Sequence, residues 1–342
     1  MRSFGKCEFP RGNSTLTLLP ASTLARLSAR LLSPAIAMQP RIPRRPVDGV
    51  LLLDKPTGLT SNSALQRAKR LYRAEKAGHT GTLDPLASGL LPLCFGEATK
   101  FAQLLLDAPK RYTATFRFGV TTATGDAEGG VQSTRPVTFT RGDLEAALRR
   151  FEGRIAQVPH AFSALKFEGR AYYEYARAGQ DIPRVAREVE IHALRLLDYE
   201  APDAVVDVEC SKGTYVRVLA EDVGEALGCG AHLAALRRTA TGGFDLADAV
   251  SLERLEVMTD TERLHALAPA SSLVAGLPAL TFGTVEAQRF RQGQALPVSG
   301  RPDGDCAVFA DARFLGIATV TSGVARPRRV VVERVPVEAG TG

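Results

Sequence analysis

No helix and no uninterrupted strand can run through residues 78–89. Gly78, Gly81 and Gly89 allow backbone conformations with positive φ, and Pro85 fixes φ and lacks an amide hydrogen, so Gly78–Gly89 is a shaped loop. The segment also carries His79, Thr80, Thr82, Asp84 and Ser88. From Lys76 to Phe95, Asp84 is the sole carboxylate. A lone carboxylate on a shaped loop, with a histidine five residues upstream, is a candidate nucleophile or general base. An aspartate before proline also caps turns through its own backbone, and residue types alone leave both roles open.

The chain has 342 residues, enough for two domains and a sizeable core. A formal net charge of +6 suits an anionic partner and equally suits an ordinary basic surface. The five cysteines, Cys7, Cys94, Cys210, Cys229 and Cys306, form no C-x-x-C pair. Their odd number in a chain of this size points to reduced thiols in the cytoplasm, and away from a zinc site or a disulfide framework. No apolar run reaches the ~18 residues of a membrane helix. Residues 1–47 hold eight Lys or Arg, five Ser and Glu8 as the only acid. The expectation there is a basic, disordered leader or a start assigned too early, with Met38 as the alternative start; a transit peptide has similar composition.

Along the rest of the chain, Gly49–Leu53 reads as a short buried strand, followed by a turn at Asp54–Gly58. Thr60 or Ser61 caps a helix to about Arg73, with Ala64, Leu65, Ala68 and Leu71 as its apolar stripe and Arg67, Lys69, Arg70 and Arg73 opposite. Glu97–Leu106 reads as a helix. Lys110–Val120 alternates as a strand, with Tyr112, Ala114, Phe116, Phe118 and Val120 on one face. Asp126 and Glu128 have poor ligand spacing and read as a solvated loop. Thr140–Asp143 opens a helix with a capping-box pattern, ending near Phe151. Phe162–Lys166 and Gly169–Arg177 read as strand then helix; the three tyrosines there, with Arg170 and Arg177, fit either an RNA face or core packing. Glu188–Tyr199 and Ala204–Cys210 read as strands, and Tyr215 opens an amphipathic run ending near Gly228. From about Leu277 short β-like runs, around 307–309 and 314–320, suggest a small β-rich module.

The stretch Gly78–Phe101 resembles the catalytic loop of the TruB family, the tRNA pseudouridine-55 synthases. Leu52–Pro56 before it and Ser211–Arg217 after it strengthen the likeness. The resemblance covers roughly 48–249 well and 277–336 loosely. It implies an α+β fold, in which a mixed, mostly antiparallel pseudouridine-synthase sheet is flanked by helices. The expected organisation is a leader at 1–47, a catalytic domain at 48–276 and a PUA-like RNA-binding domain at 277–342. It also implies an enzyme that detaches uracil from ribose in the T loop of tRNA, at position 55, and reattaches it through carbon 5. No outside group enters that reaction, so no cofactor and no metal are expected.

The resemblance further assigns roles. Asp84 is the catalytic carboxylate, as nucleophile or in a glycal route. Arg217 pairs with it; by itself it reads as a surface salt bridge. Tyr112 stacks on the target base and takes part in proton transfer; by itself it is a half-buried core tyrosine. His79 helps flip the base, and Tyr215, Leu236 and Lys55 contact the substrate; a lone His79 would be a loop hydrogen-bonder, and a lone Lys55 a surface turn lysine. Arg237 and Arg238 fit phosphate or structural contacts. The implied partner is the tRNA T arm, with no membrane, no obligate protein partner and a monomeric state. Two other readings are a tRNA-binding folding chaperone and a subunit of a guide-RNA-dependent synthase. Intact Asp84, Tyr112 and Arg217 favour an active enzyme over the chaperone.

Deletion of residues 1–37 is expected to leave turnover unchanged, as measured by tritium release from carbon-5-labelled tRNA; a large loss would show that the leader binds RNA.

Overall fold

The computed structural model describes residues 43–163 and 165–332. The expectations for residues 1–42, Met38 among them, lie outside the described residues.

A mixed, mostly antiparallel sheet forms the body of the protein. Its main strands are β1 (Gly49–Lys55), β2 (Ser88–Phe95), β3 (Lys110–Phe118), β4 (Gly153–Gln157), β5 (Arg187–Glu200), β6 (Asp203–Cys210) and β7 (Ala231–Thr241). Their spatial order is β1-β2-β7-β3-β6-β5-β4, and the two-residue strand Val250–Ser251 pairs outside β1. Of these neighbours, β2 and β7 run parallel to one another, as do β1 and Val250–Ser251; the rest are antiparallel.

The alternation in Lys110–Phe118 explains why this strand sits near the centre of the sheet. Ala114, Phe116 and Phe118 are buried against Val206, Val208 and helix α3 (Val216–Ala226). On the opposite face Arg111 makes two bonds to Asp207 at 2.8 and 2.9 Å, and Arg117 two to Asp203 at 2.8 and 2.6 Å. These forked pairs tie β3 to β6 and add geometric definition to the register.

Helix α1 (Ser61–Leu71) starts where Thr60 accepts the Ser63 amide at 3.0 Å, and its Ala64, Leu65 and Ala68 are buried. It stops two residues short of the expected end, because Arg73 adopts a left-handed conformation and pairs with Asp260. Helix α2 (Arg141–Arg149) carries the expected capping box between Thr140 and Asp143. The helix expected over 97–106 divides into a 3-10 turn, Gly96–Lys100, and a short helix, Ala102–Asp107. The strand expected at 162–166 shrinks to the two-residue pairing of Lys166–Phe167 with Arg170–Ala171, ahead of the helix Tyr172–Arg177.

A second sheet lies toward the C-terminus, built mainly from β8 (Ala279–Thr281), β9 (Gly304–Ala310), β10 (Arg313–Thr321) and β11 (Val324–Val330). It includes a helix that hydrophobic patterning did not reveal, α4 (Thr284–Arg291), whose Ala287 and Phe290 fill the module's own apolar centre. The module also shares a core with the main sheet: Ala307 and Ile317 cluster with Val50, Leu52, Leu90 and Cys94, and the Phe314 ring lies 5.1 Å from that of Phe101. The described cysteines, Cys94, Cys210, Cys229 and Cys306, are free and buried. Among the described residues no helix is long and apolar enough to cross a membrane.

Gly89 lies where β1, β2 and β7 converge. Its φ is +97°, and a Cβ there would stand 2.3 Å from the Arg238 carbonyl oxygen. Gly89→Ala is therefore expected to lower stability by more than about 2 kcal/mol, since a left-handed backbone alone costs ~1–2 kcal/mol for a side chain. Denaturant melts check this value.

Candidate active site

The Asp84 loop is held from several sides. The Gly58 amide donates to the Pro85 carbonyl at 2.8 Å, and the Ala87 amide to the Asp84 carbonyl at 3.1 Å. The buried Arg238 guanidinium donates to the carbonyls of Leu90 at 2.6 Å and Gly81 at 3.3 Å. Arg238 thus braces the loop and also lines a cavity shared with Asp84. Arg237 remains partly exposed and pairs with Asp54 at 2.7 Å.

Arg217 is the second residue of α3 and is buried, whereas the Asp84 side chain it contacts is half exposed. The guanidinium donates to Asp84 through Nη2, and through Nη1 to the Thr124 carbonyl at 2.9 Å. Nη1 also meets the Asp126 carboxylate at 3.1 Å. Asp126 is buried and accepts from the Thr124 hydroxyl at 2.6 Å and the Glu128 amide at 3.1 Å. The solvated-loop expectation for Asp126 is therefore corrected. A buried arginine needs a compensating charge, and Asp126 supplies it from behind while Asp84 faces the open side. Glu221 lies one helical turn beyond Arg217 and packs under the same turn; a Cβ on Gly125 would stand 2.8 Å from its carboxyl. Burial, reinforced by Asp222, pushes the Glu221 carboxyl up to about 7. His160, 3.9 Å from it, is pushed down to about 4 by burial and by Arg217.

Two cavities meet at Asp84. One, of about 340 Å³, is lined by Asp84, Tyr112, Tyr215, Arg217, Leu233 and Leu236 among others. The second adjoins it and includes His79, Thr124, Tyr173, Arg177 and Phe162. Asp84, Arg217 and Phe162 belong to both. Flat aromatic and aliphatic walls around a fixed carboxylate suit a planar ring. Burial pushes the Tyr112 phenol above its ordinary value, against the opposing charge of Arg238. Burial likewise raises the Tyr215 phenol. His79 is lowered by burial and by Arg238, and its buried Nδ1 has no hydrogen-bond partner among the described residues.

Of the expected site residues, Asp84, Tyr112, Arg217, Tyr215 and Leu236 line one cavity and His79 the adjoining one. Lys55 is on neither wall. It is fully buried, and its ammonium donates to the carbonyls of Pro56 at 2.8 Å and Leu59 at 2.6 Å, behind the loop. Burial lowers it to about 8, although Asp84 pulls the other way. The tyrosines of 172–177 divide: Tyr172 and Tyr175 are buried, whereas Tyr173 is exposed at the second cavity with the Arg177 guanidinium 5.3 Å from its ring centre.

The fold and this constellation define a pseudouridine synthase. Profiles of one family match the chain in succession: the TruB family pseudouridylate synthase N-terminal domain over residues 69–216, the tRNA pseudouridylate synthase B C-terminal domain over 217–275, and the pseudouridine synthase II TruB C-terminal domain over 278–331. The chain belongs to the TruB family. It is 56% identical over 305 residues to the tRNA pseudouridine synthase B of Burkholderia mallei (strain ATCC 23344), covering 87% of this chain and 98% of that protein. It is 55% identical over 303 residues to the tRNA pseudouridine synthase B of Cupriavidus metallidurans, covering 85% and 96%. Among solved structures it resembles a chain of a Cbf5–Nop10–Gar1 complex, with a TM-score of 0.63 and 26% identity over 84% of each chain. A chain of an H/ACA RNP bound to a substrate RNA containing 2′-deoxyuridine gives a TM-score of 0.64, with 26% identity over 84% and 86%.

Glu221 supplies a pH test. Its folded value, about 7, lies above the ordinary 4.5. The stability it confers is therefore complete below pH 4.5 and lost as pH rises toward 7, because the unfolded chain ionises first. Glu221→Gln, which cannot ionise, is expected to raise the Tm relative to wild type more at pH 8 than at pH 5 in thermal melts.

Proposed function

We propose that this enzyme isomerises uridine to pseudouridine in tRNA, at position 55 of the T loop, as a monomer acting in the cytoplasm without an obligate protein partner. One observation carries the reading: the half-exposed Asp84 carboxylate stands where two cavities meet, oriented by a buried Arg217 whose charge is balanced from behind by Asp126. The relatives named tRNA pseudouridine synthase B support the substrate class.

The uridine leaves the tRNA stack, which costs a few kcal/mol. Its base enters the cavity of Tyr112, Tyr215 and Leu236, and His79 in the adjoining cavity occupies the place it vacates. Desolvation keeps this imidazole uncharged near neutral pH, which suits packing against bases. Asp84 acts on the ribose as the glycosidic bond to N1 breaks. The freed uracil turns, bonds through carbon 5 to the anomeric carbon and releases the carbon-5 proton, while N1, which kept the electron pair of the broken bond, takes up a proton. Tyr112 enters these steps as a neutral ring, stacked on the base and near the proton being lost. The Tyr173–Arg177 pair offers a flat and cationic surface to the RNA at the second cavity.

Asp84→Asn is nearly isosteric. It is expected to abolish tritium release from carbon-5-labelled tRNA while leaving tRNA affinity within a few-fold of wild type. Substantial residual turnover would overturn the role given to Asp84.

A further inference from the structure

Each half of the Asp84–Arg217 pair is preceded by a residue that one buried polar side chain grips on both its backbone groups. Ser61, at the start of α1, donates its hydroxyl to the Leu83 carbonyl at 3.0 Å and accepts the Leu83 amide at 2.7 Å. Gln157, at the end of β4, accepts the Tyr215 amide at 3.0 Å and donates to the Tyr215 carbonyl at 3.3 Å. Both side chains are almost completely buried, at 2% exposure. Leu83 directly precedes Asp84. Tyr215 is the cap residue of the helix whose second residue is Arg217.

We infer that Ser61 and Gln157 are positioning residues for this reaction, holding the backbone beneath Asp84 and Arg217 so that the ion pair meets the ribose in one geometry. The inference rests on the function proposed above.

The physical argument is one of satisfaction and reach. A loop carrying a catalytic group cannot use strand pairing to fix every peptide, yet its buried amides and carbonyls need partners. A hydroxyl or a primary amide is both donor and acceptor, so a single side chain can satisfy both groups of one residue, as a neighbouring strand would. Among the described residues, no other group bonds the Leu83 amide or carbonyl. Gln157 lines neither cavity at Asp84, and Ser61, which lines the second, engages its hydroxyl with Leu83. They act through Asp84 and Arg217, whose placement governs the rate: a misplacement of about 1 Å can lower catalysis by roughly a hundredfold.

The test compares wild type, Asp84→Asn, Ser61→Ala, Ser61→Thr, Gln157→Leu and Gln157→Glu under single-turnover conditions. Tritium release, tRNA Kd and thermal melting are measured on each full-length protein. Ser61→Ala and Gln157→Leu are expected to lose roughly 10–100-fold in rate with Kd within about twofold. Ser61→Thr, which keeps the hydroxyl, is expected to recover most of the rate. Gln157→Glu, which keeps only the acceptor for the Tyr215 amide, is expected to fall between wild type and Gln157→Leu. The Ser61→Ala/Gln157→Leu double variant is expected to lose less than the product of the single losses, because both act on one ion pair. Should an apolar variant not fold, the graded rates of Ser61→Thr and Gln157→Glu decide in its place. A folded variant that melts earlier but reacts at the wild-type rate, or a loss confined to Kd, overturns the positioning role. A wild type that releases no tritium overturns the functional reading itself; an active wild type with unaltered variants overturns this inference alone.

Discussion

The site depends on one buried guanidinium. Arg217 is shielded from solvent yet carries a full charge, a state that its carboxylate partners make tolerable, although its buried Nε has no hydrogen-bond partner among the described residues. Asp126 and the Thr124 carbonyl hold it from the protein side, and Asp84 takes the remaining direction, toward the cavities. Fixing the arginine fixes the carboxylate. Because the arginine is planar and forked, it constrains direction as well as distance, which an ammonium in its place would not do.

The surrounding architecture follows from the need to bring distant segments to that point. Arg217 comes from the start of α3, whose apolar side lies in the core beneath β3 and β6. Asp126 comes from a turn after β3, and Asp84 from the loop before β2. The parallel contact of β2 with β7 sets Gly89 against Arg238, and Arg238 in turn holds the Gly81 carbonyl. Strands β3 and β7 present Tyr112 and Leu236 to the cavity. Sheet register and loop geometry are thus one problem, since shifting β7 by a residue would reverse the faces of Leu236 and Arg237 and remove Arg238 from the loop.

Local patterns were legible where local physics decides structure. The glycines and proline of 78–89 announced a loop, the alternation of 110–118 a strand, and Thr140 with Asp143 a capped helix; each rests on a backbone preference or a contact within a few residues. Asp84, Tyr112 and Arg217 stood out as a group through family likeness, because spacing along the chain does not say that they meet. Asp126 was misread because a carboxylate in a polar, glycine-containing turn looks solvated until a helix from elsewhere covers it. The burial of Lys55 is hidden in the sequence for the same reason: nothing in its neighbours announces that its ammonium is turned inward onto the carbonyls of Pro56 and Leu59. Helix α4 escaped notice because only Ala287 and Phe290 along it are buried, too few to make a stripe.

By itself, then, the sequence determined the shaped loop, the main strands and helices, the basic balance and the family motifs. These depend on φ preferences, side-chain periodicity and short-range capping. The tertiary structure alone decided which charges are buried and what they face. It set Asp126 behind Arg217, raised Glu221 to about 7 and lowered Lys55 to about 8. It also set Ser61 and Gln157 on the backbone beside the catalytic pair. Burial and long-range pairing are properties of the packed chain, because the cost of desolvating a charge and the partner that offsets it are both defined only when remote segments close around it.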